Sequence, residues 1–222
     1  MSEISKYLAV DEVPFYINKF GQKRFRGVKR FYGDTVRNDK AAEQADMEAV
    51  EPQLVYQYVN EIIELFRKAN GFAEPLIRKS SLILDGTEHE IADNGIIVRG
   101  CNWEAPYYDK KSNRYTKWDS KYDEIARVFD LKKPSDLVWL KFTKNKHLGV
   151  VAKSFDINYS DSNSSGILVN EVKESWDDTY VYIFPLTSEI LGNYSTGDLE
   201  LAIGNYLIEK KVPIIDYYSH YN

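Results

Sequence analysis

Four apolar stretches in close succession constrain this chain more than anything else in it: LVWLKF (137–142), LGVVAKSFDINY (148–159), GILVNEVK (166–173) and TYVYIFPL (179–186). Their β-branched and aromatic residues suit buried strands. The connectors TKNKH, SDSNSS and ESWDD are short and polar, whereas a parallel pair needs a crossover of about a dozen residues or more. Successive strands are therefore expected to run antiparallel as a meander. Two further strands are predicted over 81–84 (SLIL) and 95–100 (GIIVRG), the second entered through the turn residues Asp93-Asn94-Gly95.

Helices flank this run. Leu54, Val55, Tyr58, Val59, Ile62, Ile63 and Phe66 recur at helical spacing over 51–69, Pro52 suits a first turn, and Asn70-Gly71 ends the segment. A shorter helix is expected over 121–129. The stretch STGD places Ser195 as a cap with Asp198 three residues on, ahead of Leu199, Ala202, Ile203, Tyr206 and Leu207 at helical spacing. VPIID (212–216) reads as a closing strand, 38–48 as a polar linker, and 101–118 as a long aromatic and basic loop. The fold class is thus α+β with an α/β-like cast, a central, mostly antiparallel sheet flanked by helices. One domain over 1–222 is expected, with a basic N-terminal arm (1–45) on an α/β core (46–222).

Charge divides the chain in the same place. Residues 1–40 hold nine Lys/Arg against five acids, a net +4, while the remainder holds 20 basic and 29 acidic residues, a net −9. The densest stretch, KFGQKRFRGVKRFY (19–32), interleaves Lys19, Lys23, Arg24, Arg26, Lys29 and Arg30 with four aromatics, and its glycines favour extended strands or a hairpin. Cations bind phosphates and flat rings stack on unpaired bases, so these six residues are the expected contact to DNA or RNA. Mixed charge and aromatic surface equally suit a protein partner. No apolar run reaches the length of a membrane span, and the N-terminus lacks the pattern of a secretion signal, so a cytoplasmic location is expected. A single cysteine, Cys101, excludes an internal disulfide and any multi-cysteine zinc site.

Candidate chemistry lies where GILVNEVK ends. On a strand, Glu171 and Lys173 would share a face while Val172 points the other way. A turn over 160–166 would bring Asp156, near the end of the preceding strand, beside Glu171. Two carboxylates and a lysine would then converge, a set able to hold Mg²⁺ and activate water against a phosphodiester. Glu88-His89-Glu90 offers metal-ligand types, but strand neighbours diverge; Cys101 and His220 have no matching partner in sequence.

Asp156, fourteen intervening residues, then Glu171-Val172-Lys173 at the end of an apolar strand resembles the PD-(D/E)xK nuclease superfamily, with Phe155 where that family usually has proline and PSD (134–136) carrying a proline elsewhere. The resemblance covers the C-terminal half and implies a restriction-endonuclease-like core. It further implies Asp156 and Glu171 as Mg²⁺ ligands and Lys173 as the residue positioning the attacking water. A Mg²⁺-dependent nuclease, or a nuclease-like nucleic-acid-binding protein, is the expected function. The alternative is a non-enzymatic binding or interaction protein, such as an inhibitor or accessory protein of a mobile element, that uses the basic arm and the aromatic loop.

Overall fold

A computed structural model describes residues 3–8, 15–17, 23–25, 35–74, 80–84, 86–99, 108–109, 114–115, 120–153 and 164–216. After a short 3-10 helix (Glu3–Tyr7), strands β1 (Phe15–Ile17) and β2 (Lys23–Phe25) pair antiparallel, with Tyr16 opposite Arg24. Within the basic stretch, Lys23 and Arg24 are extended in β2, whose partner β1 precedes that stretch; Lys19, Arg26, Lys29 and Arg30 lie outside the described residues.

Helix α1 (Thr35–Ala45) occupies most of the expected linker. Its alanines, glutamate and glutamine are good helix formers despite the missing apolar stripe, and Lys40 pairs with Glu43 at 2.7 Å one turn on. Helix α2 (Pro52–Ala69) matches its expected span and buries Val55, Val59, Ile62, Ile63 and Phe66 along one face. It ends where Gly71, at φ +89°, turns the backbone so that Phe72 N–H donates to the Arg67 carbonyl.

Strands β3 (Ser81–Leu84), β4 (Thr87–Ala92) and β5 (Gly95–Arg99) follow as successive antiparallel neighbours. A two-stranded ribbon, β6 (Tyr108–Asp109) and β7 (Arg114–Tyr115), interrupts the region expected to be loop. Then come α3 (Ser120–Phe129), β8 (Leu137–Phe142), β9 (Leu148–Lys153), α4 (Ser164–Glu171), β10 (Tyr180–Pro185), α5 (Ser188–Leu191) and α6 (Thr196–Glu209).

The main sheet has six strands in the order β3-β4-β5-β10-β8-β9, all neighbours antiparallel. The expected meander from β8 to β10 is absent. Because β9 and β10 both run antiparallel to β8, which lies between them, they run parallel to each other, and the chain must cross over the sheet to join them. That crossover contains GILVNEVK, which forms α4 and not a strand. Leu168, Val169 and Val172 pack inward on one helical face. The helix closes with Glu174 N–H donating to the Val169 carbonyl while Lys173 takes the left-handed conformation at φ +61°.

Helices cover both faces of the sheet. On one, α2, α5, α6 and the 3-10 helix pack on Val138, Leu140, Phe142, Tyr182 and Phe184. On the other, Ala41 of α1, Ile125 and Phe129 of α3, and Leu168 and Val169 of α4 pack on Leu137, Trp139, Val181 and Ile183. Ile4, Tyr7 and Ala41, from the described parts of the first 45 residues, join these cores. At the β9 edge, Ile215 and Asp216 donate backbone N–H bonds to the carbonyls of Leu148 and Gly149, and a parallel bridge joins Leu148 to Ile214.

Candidate functional site

The helical form of 164–171 changes the geometry expected of Glu171 and Lys173. Glu171 is the last residue of α4 and Lys173 lies in the following turn; both are exposed, and the alternation that would aim them to one side of a strand does not operate. Asp156 lies outside the described residues. Among the described residues no three His, Cys, Asp or Glu side chains come together as a metal site. At Glu88-His89-Glu90 the strand alternation does hold: His89 is buried and accepts a hydrogen bond from Arg99 N–H, while both glutamates face outward.

Charged side chains converge instead where β8 starts, β9 ends and α6 begins. Here lies a cleft of about 600 Å³, lined by Lys132, Lys133, Asp136, Lys153, Thr196 and Gly197 among others. Three elements deliver these groups. Lys132 and Lys133 sit in the exposed connection from α3 to β8. Lys153 is the last residue of β9, in register with Val138 of β8. Thr196 and Gly197 form the first turn of α6, whose start is fixed by a reciprocal cap: Ser195 Oγ accepts from Asp198 N–H, and Asp198 Oδ2 accepts from Ser195 N–H at 2.7 Å. Thr196 Oγ1 donates to buried Asp136 Oδ1 at 2.9 Å, which ties the helix start to the β8 start.

The electrostatics of this corner are lopsided. An α-helix concentrates partial positive charge at its N-terminus, where first-turn N–H groups have no acceptor within the helix. The Lys153 ammonium lies against that end: a Cβ added at Gly197 would come within 2.5 Å of Nζ. Lys132 and Lys133 add two more cations. Three lysines thus face the concave space against one lining carboxylate, Asp136, which already takes the Thr196 hydroxyl, and the net positive charge favours an anion.

Glu200, one turn farther along α6, lies behind Lys153. It is 5% exposed, accepts a hydrogen bond from Lys153 N–H at 2.9 Å, and holds its other oxygen 3.9 Å from Lys153 Nζ. Burial pushes its carboxyl up to about 7 and the nearby Asp216 charge adds to the rise, against the opposing pull of Lys153. Asp216 itself is buried and accepts from Ser165 Oγ.

A larger cleft, about 790 Å³, lies between α2, α6 and the β4–β5 turn. Two of its four lining acids are engaged within the fold: Glu64 takes bonds from Arg67 and Asn94, and Glu61 from Tyr206, with Lys210 beside it at 3.1 Å, while Glu3 and Asp93 also line the space. The Tyr206 hydroxyl, and after it Lys210, hold Glu61 below its ordinary carboxylate range. These pairings join α2 to α6 and to the β4–β5 turn, which gives Glu61 and Glu64 structural roles.

Comparisons of the chain with protein-family models, with curated proteins and with solved structures return no match. The class defined by fold and site is an α+β protein with helices on both faces of a six-stranded antiparallel sheet and a lysine-lined cleft at one corner.

Proposed function

We propose that this protein binds a polyanion, the backbone of a single-stranded nucleic acid, in the lysine cleft at the start of α6. The observation that carries this reading is the convergence of Lys132, Lys133 and Lys153 with a helix N-terminus on one concave space. The overall charge of −5 does not oppose it, because at physiological salt charges beyond about 8 Å are largely screened and the local lysines dominate. The basic residues Lys19, Lys23, Arg24, Arg26, Lys29 and Arg30 form a second proposed contact to the same strand. Cleavage through Asp156, Glu171 and Lys173 would need those groups to meet in a metal pocket. Glu171 ends a helix, so strand alternation does not bring it and Lys173 to one side, and binding is the function put forward.

Lys132→Glu with Lys133→Glu tests this by fluorescence anisotropy of a labelled oligothymidylate across a salt series. The double variant is expected to bind at least tenfold more weakly. Its plot of log affinity against log salt should flatten by about 1.4, since each single-strand phosphate contact contributes about 0.7 to the slope. Lys144→Glu with Lys173→Glu, two exposed sites that do not line the cleft, makes the same change in net charge and serves as the control. Equal losses in the cleft variant and the control, or no loss in the cleft variant, would remove the cleft from the binding surface.

A further inference from the structure

We infer that filling the lysine cleft with an anion is coupled to uptake of one proton by Glu200, which acts as a positioning residue for Lys153. This rests on the polyanion reading of the cleft and specifies how that site is regulated. The geometry makes one ammonium serve two masters. Lys153 Nζ stands at the cleft lining against Gly197 and at the same time 3.9 Å from Glu200 Oε2. No second lysine or arginine side chain pairs with Glu200 among the described residues; its other oxygen is held by the Lys153 backbone N–H.

An anion entering the cleft draws the Lys153 ammonium toward itself. Glu200 is then left buried with its nearest cation displaced and with the Asp216 charge still acting on it, and a buried carboxylate in that position takes a proton from solvent. The reverse holds by linkage: a protonated Glu200 makes no claim on Lys153, whose charge is wholly available to the ligand. The charged groups concerned are Lys153 from β9 and Asp216 from the C-terminal stretch. Asp136 from β8 acts one turn earlier through Thr196, and Asp198 of α6 is occupied in the helix cap. Burial raises the Glu200 carboxyl to about 7, and losing the opposing pull of Lys153 raises it further, into the range where it is protonated at neutral pH.

The probe is a short oligothymidylate without terminal phosphates, whose diesters hold no proton near neutral pH. Calorimetric titration at about pH 7.5, in buffers that differ in protonation enthalpy, counts protons taken up on binding. Wild type is expected to take up as much as about three-quarters of a proton per site, because about a quarter of Glu200 is already protonated at that pH. Its affinity should be level below about pH 6 and fall by up to about tenfold per pH unit above about 7. Glu200→Gln should bind with no uptake and with a level pH profile, and Lys153→Met should bind more weakly, also with no uptake. The Lys153→Met result stands even if Glu200→Gln does not fold. Wild-type binding without proton uptake, or uptake that persists in either variant, overturns the coupling and leaves the polyanion reading in place. Failure of the wild type to bind overturns both.

Discussion

At the scale of single residues, Glu200 is a buried carboxyl whose ionisation costs stability. Its carboxyl is raised from 4.5 to about 7 on folding, so between those values the folded protein holds the proton more tightly than the unfolded chain. Stability from this residue is therefore fully present below about pH 4.5, falls as pH rises through the window, and is absent above about 7. The shift corresponds to about 3 kcal/mol, at roughly 1.36 kcal/mol per unit. Glutamine mimics the protonated acid and still accepts the Lys153 N–H. Glu200→Gln should then be more stable than wild type by about 1 to 3 kcal/mol at pH 8 and equal to it at pH 4, as read by urea denaturation at the two values. A variant less stable than wild type at pH 8 would mean that the Lys153 attraction outweighs burial.

At the scale of elements, the start of α6 carries both a fold and a site, and its cap can be weighed separately. Ser195→Ala removes the acceptor for Asp198 N–H and leaves half of the reciprocal pair, which should cost about 1 kcal/mol. Denaturant midpoints of the two proteins measure it; an unchanged midpoint would show that the Asp198 half suffices alone. This helix was legible in the sequence because a cap and a 3.6-residue stripe agree, and so was α2, an 18-residue helix in which Val55, Val59, Ile62, Ile63 and Phe66 keep one buried face. GILVNEVK misleads because a short apolar run fits a strand and a buried helix equally well. What decides is β10 lying two strands from β9, a tertiary demand for a crossover that no local pattern announces. Helix α1 is silent for the opposite reason, having no stripe and only Ala41 in the core among its described side chains. The lysine cleft escapes sequence reading because Lys132-Lys133, Lys153 and Gly197 come from three elements. KKPSD and STGD are visible as a basic turn and a helix start, but nothing in their spacing says that the end of β9 lies between them.

At the scale of the whole molecule, the strand order sets where stability resides. β10, far along the chain, is flanked by β5 and β8, so the sheet cannot close until residues 180–185 pair on both sides. β10 contributes Val181 and Ile183 to the core on one face and Tyr182 and Phe184 to the core on the other. Its amides therefore open only when both cores are lost. β3 lies at the opposite extreme: among the described residues it pairs only with β4, and Ile83 is 63% exposed. Local opening there breaks few apolar contacts and needs a smaller free energy. Hydrogen exchange followed by mass spectrometry should accordingly find the slowest amides in 181–184, exchanging at the rate of global unfolding, with 81–84 faster by orders of magnitude. β9 should group with the centre and not with β3, although it too is a terminal strand of the main sheet, because Ile214 to Asp216 cover its outer side and Gly149 lies packed against the Trp176 ring. Exchange in 148–151 as fast as in 81–84 would show that this covering segment opens independently. Lys153 at the end of β9 would then sit on a mobile edge, without the fixed position against Gly197 and Glu200 that the anion cleft requires.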